Sequence, residues 1–109
     1  MREYKEQIGN LTFDLLYQTI EMNGKSVALT PIEFVMLMLL ASNANKTFTR
    51  EQIRTELKGT KATLRNLRTV DVHISRLKKK LKTLGADMIK NAFGAGYFIS
   101  GLETTLEKK

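Results

Sequence analysis

The chain has 109 residues, 42% hydrophobic and 27% charged, which suits one domain with one core and leaves no room for two. It has no cysteine, so disulfides, thiolate metal sites and cysteine nucleophiles are excluded. The formal net charge is +7, and residues 46–90 hold thirteen lysines and arginines against four acids, whereas residues 1–45 are slightly acidic and residues 91–109 neutral. A basic excess confined to one block reads as a surface for a polyanion rather than as general solubilisation.

The first residues, Met1 to Gln7, are not followed by the apolar stretch of a signal peptide. The longest apolar run, Phe34 to Ala41, is too short to span a bilayer. A soluble, cytoplasmic protein is expected. Ile8 to Leu29 reads as short strands. Leu11 to Leu15 alternates with period two, Tyr17 to Met22 does so loosely, and Val27 to Leu29 is a third run. Asn23-Gly24 between the last two is a hairpin turn signal.

At Thr30 the period changes. Thr30-Pro31-Ile32-Glu33 is a helix start: Thr30 caps, Pro31 suits the first turn, and Glu33 completes a capping box. Phe34, Leu37, Met38 and Ala41 follow at helical spacing on a helix apolar nearly all round, which predicts a buried central position. Asn43 to Asn45 ends it. Thr49-Arg50-Glu51-Gln52 starts a second helix, running to about Leu57 and burying Ile53 and Leu57, with Gly59 at its exit.

Residues 58–66 read as a basic, polar loop. A third helix is predicted from a cap at Asn66 to about Leu84, closed by Gly85. Val70, Ile74, Leu77, Leu81 and Leu84 form its apolar stripe. Met88 to Asn91 and Tyr97 to Ile99 are strand-like and flank Ala92-Phe93-Gly94-Ala95-Gly96, a hairpin whose glycines suit a tight tip. Since a strand rather than a helix follows these glycines, a phosphate cradle is excluded. Phe93 beside the tip either projects as a wedge or tucks into the core, and tucking is the favoured reading.

At about 100° per residue from Val70, the third helix places Arg68, Lys79, Val72 and Arg76 at about 160°, 180°, 200° and 240°, away from the stripe. Arg65 joins them if the helix reaches back so far, and Ser75 and Lys82 lie at the edge of this face. The combination suits a DNA major groove. Arginine can pair bidentately with guanine, valine can sit on a thymine methyl, serine can donate to bases or phosphate, and lysines meet the backbone. The run Lys78-Lys79-Lys80 alone is equally a solvated face. His73, the one histidine, is either a rim contact to phosphate or a boundary residue satisfied locally. With no second histidine, no metal site is expected, and no cofactor. No triad partners or paired carboxylates argue for an enzyme.

Leu29-Thr30-Pro31-Ile32-Glu33-Phe34, Arg68 to Leu81 and Gly94-Ala95-Gly96-Tyr97 together resemble the OmpR/PhoB-type winged-helix DNA-binding domain of bacterial response regulators. The second stretch is the most specific, and the resemblance covers about residues 8–100 of a single domain spanning 1–109. It implies an α+β fold: an N-terminal four-stranded antiparallel sheet, three helices, and a C-terminal hairpin wing. It implies that the third helix reads duplex DNA for transcriptional regulation. Thr69, Val72, His73, Arg76 and Lys78 or Lys79 match groove and backbone contacts, Arg68 a phosphate contact at the helix start, and Asn91 a backbone contact on the wing.

Three positions depart from the family's pattern. Lys58 stands where a tryptophan is common. Phe93 stands where an arginine often enters the minor groove, which keeps it among the DNA-contact candidates. Ser75 replaces a frequent arginine, which predicts an altered base preference. The loop bearing Lys58, Gly59 and Lys61 corresponds to the segment that meets RNA polymerase in activators. The family normally carries a phosphorylatable receiver domain ahead of this one, as part of a two-component phosphorelay. A free monomer is expected, with two copies on direct DNA repeats. The competing reading is a winged-helix protein-interaction module whose basic face binds an acidic partner. An RNA binder would want an aromatic platform, and the three tyrosines and five phenylalanines stand mostly at core-like positions.

Overall fold

A computed structural model describes residues 4–58 and 68–102. Four strands, β1 (Lys5–Ile8), β2 (Leu11–Asp14), β3 (Thr19–Met22) and β4 (Lys25–Ala28), form an antiparallel sheet in chain order. Three helices follow: α1 (Pro31–Ser42), α2 (Arg50–Leu57) and α3 (Arg68–Thr83). A two-stranded antiparallel hairpin, β5 (Ile89–Asn91) with β6 (Tyr97–Ile99), completes the α+β winged-helix arrangement.

The sheet turns one face to the core because its side chains alternate. Leu11 and Phe13 of β2 and Ile20 and Met22 of β3 are buried, while Thr12 and Asp14 are half-buried and Glu21 is exposed. The register Phe13↔Ile20↔Val27 aligns the inward residues across three strands. The strand edges differ from expectation. β1 carries no buried residue, so no apolar period announces it; pairing with β2 holds it, and Lys5, Glu6 and Gln7 suit an exposed edge.

Tyr17 and Gln18, expected in a strand, belong to the β2–β3 turn. Asp14 Oδ1 accepts from the backbone N–H groups of Leu16 and Tyr17 at 3.0 and 2.9 Å, which folds the chain back before β3 begins. The third run starts earlier than expected, at Lys25, and ends before Leu29. Of the aromatic residues expected mostly at core-like positions, Tyr4 and Tyr17 are exposed, since one precedes an edge strand and the other sits in this turn.

α1 starts as predicted. Thr30 Oγ1 accepts from Glu33 N–H at 3.2 Å, and Glu33 Oε1 accepts from Thr30 N–H at 2.9 Å. Its buried Phe34, Met36, Leu37, Leu40 and Ala41 pack toward the sheet and α3. Phe34 meets Phe13 edge to face at 5.7 Å, joining helix layer and sheet. α2 repeats the capping box with Thr49 and Gln52 and buries Ile53 and Leu57.

Val70, Ile74, Leu77, Leu81 and Leu84 of the α3 stripe are all buried. The helix ends at Thr83, one residue before the expected end. Gly85, at φ +84°, donates its N–H to Lys82 O, and Ala86 donates to Leu81 O, which satisfies the last carbonyls. The predicted cap Asn66 and the exit Gly59 lie outside the described residues. Among the described residues no helix is long and apolar enough to cross a membrane.

Candidate nucleic-acid interface

α3 lies with its apolar stripe against α1 and α2, which leaves the opposite side outward. Val72, Ser75, Arg76, Lys79 and Lys82 are exposed, and Thr69, His73 and Lys78 are half-buried at the margins. Val72 is 42% exposed. It is the one large apolar side chain exposed on this face among the described residues. Arg68 opens the helix. Its side chain, and the candidates Arg65, Gly59 and Lys61, lie outside the described residues. Lys58, after α2, is exposed.

Lys80 departs from the rest of the lysine run. Its Nζ donates to Glu33 Oε1 at 2.7 Å, across from α3 to the start of α1. Glu33 is 1% exposed. Burial pushes its carboxyl up, but the Lys80 ammonium and the Thr30 N–H outweigh this and hold it below the usual glutamate range. One cation of the run is thus spent inside the fold, and among the described side chains the outward charge of α3 rests on Arg76, Lys78, Lys79 and Lys82.

His73 sits between the two sets. Its Nδ1 is buried with no hydrogen-bond partner among the described residues. Burial lowers its basicity, the Arg76 charge lowers it further, and Glu33 opposes both. Burial and the Arg76 charge hold the ring toward its neutral form in the free protein.

The wing is tied to α3 by a cluster that sequence reasoning missed. Asp71 Oδ1 accepts from Tyr97 Oη on β6 and from Arg50 Nε on α2, the latter at 2.8 Å. Burial pushes the Asp71 carboxyl up, yet the hydrogen bonds from Tyr97 and Arg50 and the guanidinium charge bring it below its ordinary value. The Arg50 guanidinium also lies over the Tyr97 ring, 5.4 Å from its centroid. One carboxylate thus joins the recognition-type helix, the helix before it and the wing. The available signal was the lone acid, Asp71, in the outward half of a basic helix.

The wing root is held again through the backbone. Phe48 N–H donates to Tyr97 O at 2.8 Å and Tyr97 N–H to Phe48 O at 2.9 Å. Gly96 makes this approach possible: a Cβ there would stand 2.0 Å from Phe48 O. Gly96 therefore serves close packing at the wing root, and the tip itself is turned by Phe93 and Gly94. Asn91 is exposed at the end of β5. Phe93 does not tuck into the core. It is 100% exposed, because its place in the turn directs the side chain away from the packed root.

The family described as "Transcriptional regulatory protein, C terminal" matches residues 24–99. The heme response regulator HssR of Staphylococcus aureus is 41% identical over 91 residues, which are 83% of this chain and 40% of that protein. The chain thus spans about two fifths of the length of the curated relatives it matches. The DNA-binding domain of Klebsiella pneumoniae RstA, solved with the RstA box, is 32% identical, with a TM-score of 0.68 over 88% of this chain and 96% of that one. The AdeR DNA-binding domain, solved with an intercistronic region, is 26% identical, with a TM-score of 0.74 over 88% and 99%. The C-terminal domain of the nisin resistance regulator NsrR, at 24% identity, a TM-score of 0.79 and coverage of 87% and 96%, has the same fold. With its sheet, three helices and wing in this order, the chain belongs to the OmpR/PhoB-type winged-helix family of sequence-specific, DNA-binding transcriptional regulators.

Proposed function

We propose that α3 enters the major groove of duplex DNA and that the wing follows the adjacent backbone. The observation that carries this reading is the outward face of α3: exposed Val72 and Arg76 at its middle, with Ser75, Lys79 and Lys82 around them. Arg76 reads a guanine edge and Val72 a thymine methyl, with Ser75 beside them at the bases. Arg65, Arg68, Thr69, His73, Lys78, Lys79, Lys82 and Asn91 position the domain on phosphates.

The finer assignments rest on the family resemblance. The chain acts as a single winged-helix unit in the cytoplasm. Lys58, Gly59 and Lys61 belong to the loop that touches RNA polymerase. A phosphorylatable receiver domain precedes this unit in the whole protein, in keeping with relatives that are more than twice as long. The domain is a monomer when free and binds as two copies on direct repeats. A single recognition helix reads too few base pairs for a genomic address, and half-sites about 10–10.5 bp apart bring two copies to one face of the duplex.

The test is a titration with duplex DNA at several salt concentrations. Neutralised phosphates release counterions, so log K falls against log salt with a slope of about −0.9 per phosphate contact. A steep slope with plain duplex supports the reading. A flat response favours an acidic protein partner instead.

A further inference from the structure

Two hairpins in this chain carry positive φ at both central turn positions, one across a two-residue loop between Met22 and Lys25, the other across a three-residue loop between Ala92 and Gly96. Between β3 and β4, Asn23 and Gly24 have φ of 54° and 78°. Between β5 and β6, Phe93 and Gly94 have φ of 42° and 83°, and Ala95 N–H closes the turn on Ala92 O at 2.8 Å. Positive φ at both central positions is the type I′ turn, for which Asn-Gly is the favoured pair. The first hairpin uses that pair. The second places a bulky aromatic residue where an L side chain is strained, and the side chain gains no burial among the described residues in return. The ring is 100% exposed, so it contributes no core packing. A local rule broken without structural return points to a functional demand.

What meets the ring follows from where the wing is held. Its root is tied to α3 through Tyr97 and Asp71, and to the start of α2 through the paired backbone bonds with Phe48. Phe93 lies two residues beyond the Asn91↔Tyr97 pair, at the first central position of the turn. The ring thus stands at the tip of the hairpin, past its paired root. Asn91, exposed at the end of β5, offers a polar contact to the intervening phosphate, while the Lys90 ammonium is turned back onto Asp87. An apolar ring carried over a phosphate strand finds its partner in the base stack, since apolar side chains in the minor groove lodge between base steps and unstack them.

We infer that Phe93 is a wedge that inserts at a minor-groove base step next to the major-groove site of α3, unstacking that step and kinking the duplex. This rests on the duplex-DNA reading above. It makes the wing a reader of DNA deformability. Flexible pyrimidine–purine steps are preferred under Phe93, because they unstack most easily.

The experiment uses a duplex selected from a random-sequence pool by the unaltered chain, end-labelled for bending by energy transfer and carrying 2-aminopurine at the flanking step. The variants are Phe93→Asn, which supplies the residue the turn favours, and Phe93→Leu, which keeps an apolar wedge. The unaltered chain should bend the duplex by about 20° or more and raise 2-aminopurine emission at one step. Phe93→Asn should melt no lower than the unaltered chain, yet bind about tenfold more weakly and abolish both signals. Phe93→Leu should retain most of the bend. Binding by Phe93→Asn within twofold and with an equal bend overturns the wedge alone. So does loss confined to the recruitment of a second copy, which would assign the ring to a protein contact. Failure of the unaltered chain to select any duplex overturns the DNA-binding reading and the wedge with it.

Discussion

Tyr97 of the wing and Asp71 of α3 meet directly: the phenol donates to the same carboxylate oxygen that receives Arg50 Nε at 2.8 Å. The wing therefore keeps a set position relative to the outward face of α3. Tyr97→Phe retains the ring beneath Arg50 and removes only the donor. It should cost about 1–2 kcal/mol in denaturant unfolding, the scale of a hydrogen bond to a charged group. It should also weaken DNA binding at unchanged salt slope, because wing contacts lose their aim while the cations stay. Unaltered stability and affinity would mean that the backbone bonds to Phe48 suffice.

Glu33 and Lys80 form the corresponding tie between α1 and α3. Removing the ammonium by Lys80→Met leaves a buried carboxylate with its Thr30 contacts but no cation, at a cost of about 2 kcal/mol near pH 7. The pH dependence carries its own sign. Glu33 sits below its ordinary value in the folded state, so its contribution is complete above the unfolded value of about 4.3 and is lost as pH falls through the lower folded value. In Lys80→Met the buried carboxyl titrates higher and this acid-labile contribution disappears. Unfolding measured from pH 7 to pH 3 should show the two proteins converging in stability. Parallel curves would contradict the assignment.

Gly96, at φ +136°, combines a positive φ with a steric bar, whereas Gly94, at φ +83°, has the positive φ alone. Gly96→Ala forces a Cβ onto the Phe48 carbonyl and should destabilise by about 3 kcal/mol. At Gly94 nothing lies within 4 Å of a Cβ, so Gly94→Ala carries only the cost of positive φ, about 1–2 kcal/mol. Thermal unfolding of both variants checks the order.

These ties explain how far the sequence could be read. The helices were legible because their caps are local: Thr30 with Glu33 and Thr49 with Gln52 lie within one turn. The α3 stripe was legible because burial repeats with the helix. β1 was not, since an edge strand with no buried residue leaves no period. The cluster of Arg50, Asp71 and Tyr97 joins residues 21 and 26 positions apart, which no local spacing reveals. Lys80 looked like its neighbours until Glu33, 47 residues away, was placed beside it. The outward set on α3 followed from arithmetic on the wheel, whereas the exposure of Phe93 depended on a turn whose φ values the residue itself argues against.

His73 supplies a pH signature of the complex. Burial and the nearby Arg76 lower its basicity in the free protein. The proposed phosphate contact would raise it again, so that binding would take up a proton. Affinity for duplex DNA should therefore increase as pH falls from 8 through about 6.5, the ordinary histidine value, toward the value in the complex. His73→Ala should flatten this dependence. A rise of equal size in the variant would place the titrating group elsewhere.

Arg76 is the most direct test of base reading by α3. Affinities of the unaltered chain and of Arg76→Ala are measured at one salt concentration for a selected duplex, its single-base variants and a random duplex. The substitution should cost about 1–3 kcal/mol on the selected duplex and erase the preference at one base pair, with a much smaller loss on the random duplex. Equal losses on selected and random DNA would make Arg76 a phosphate contact and contradict major-groove recognition by this face.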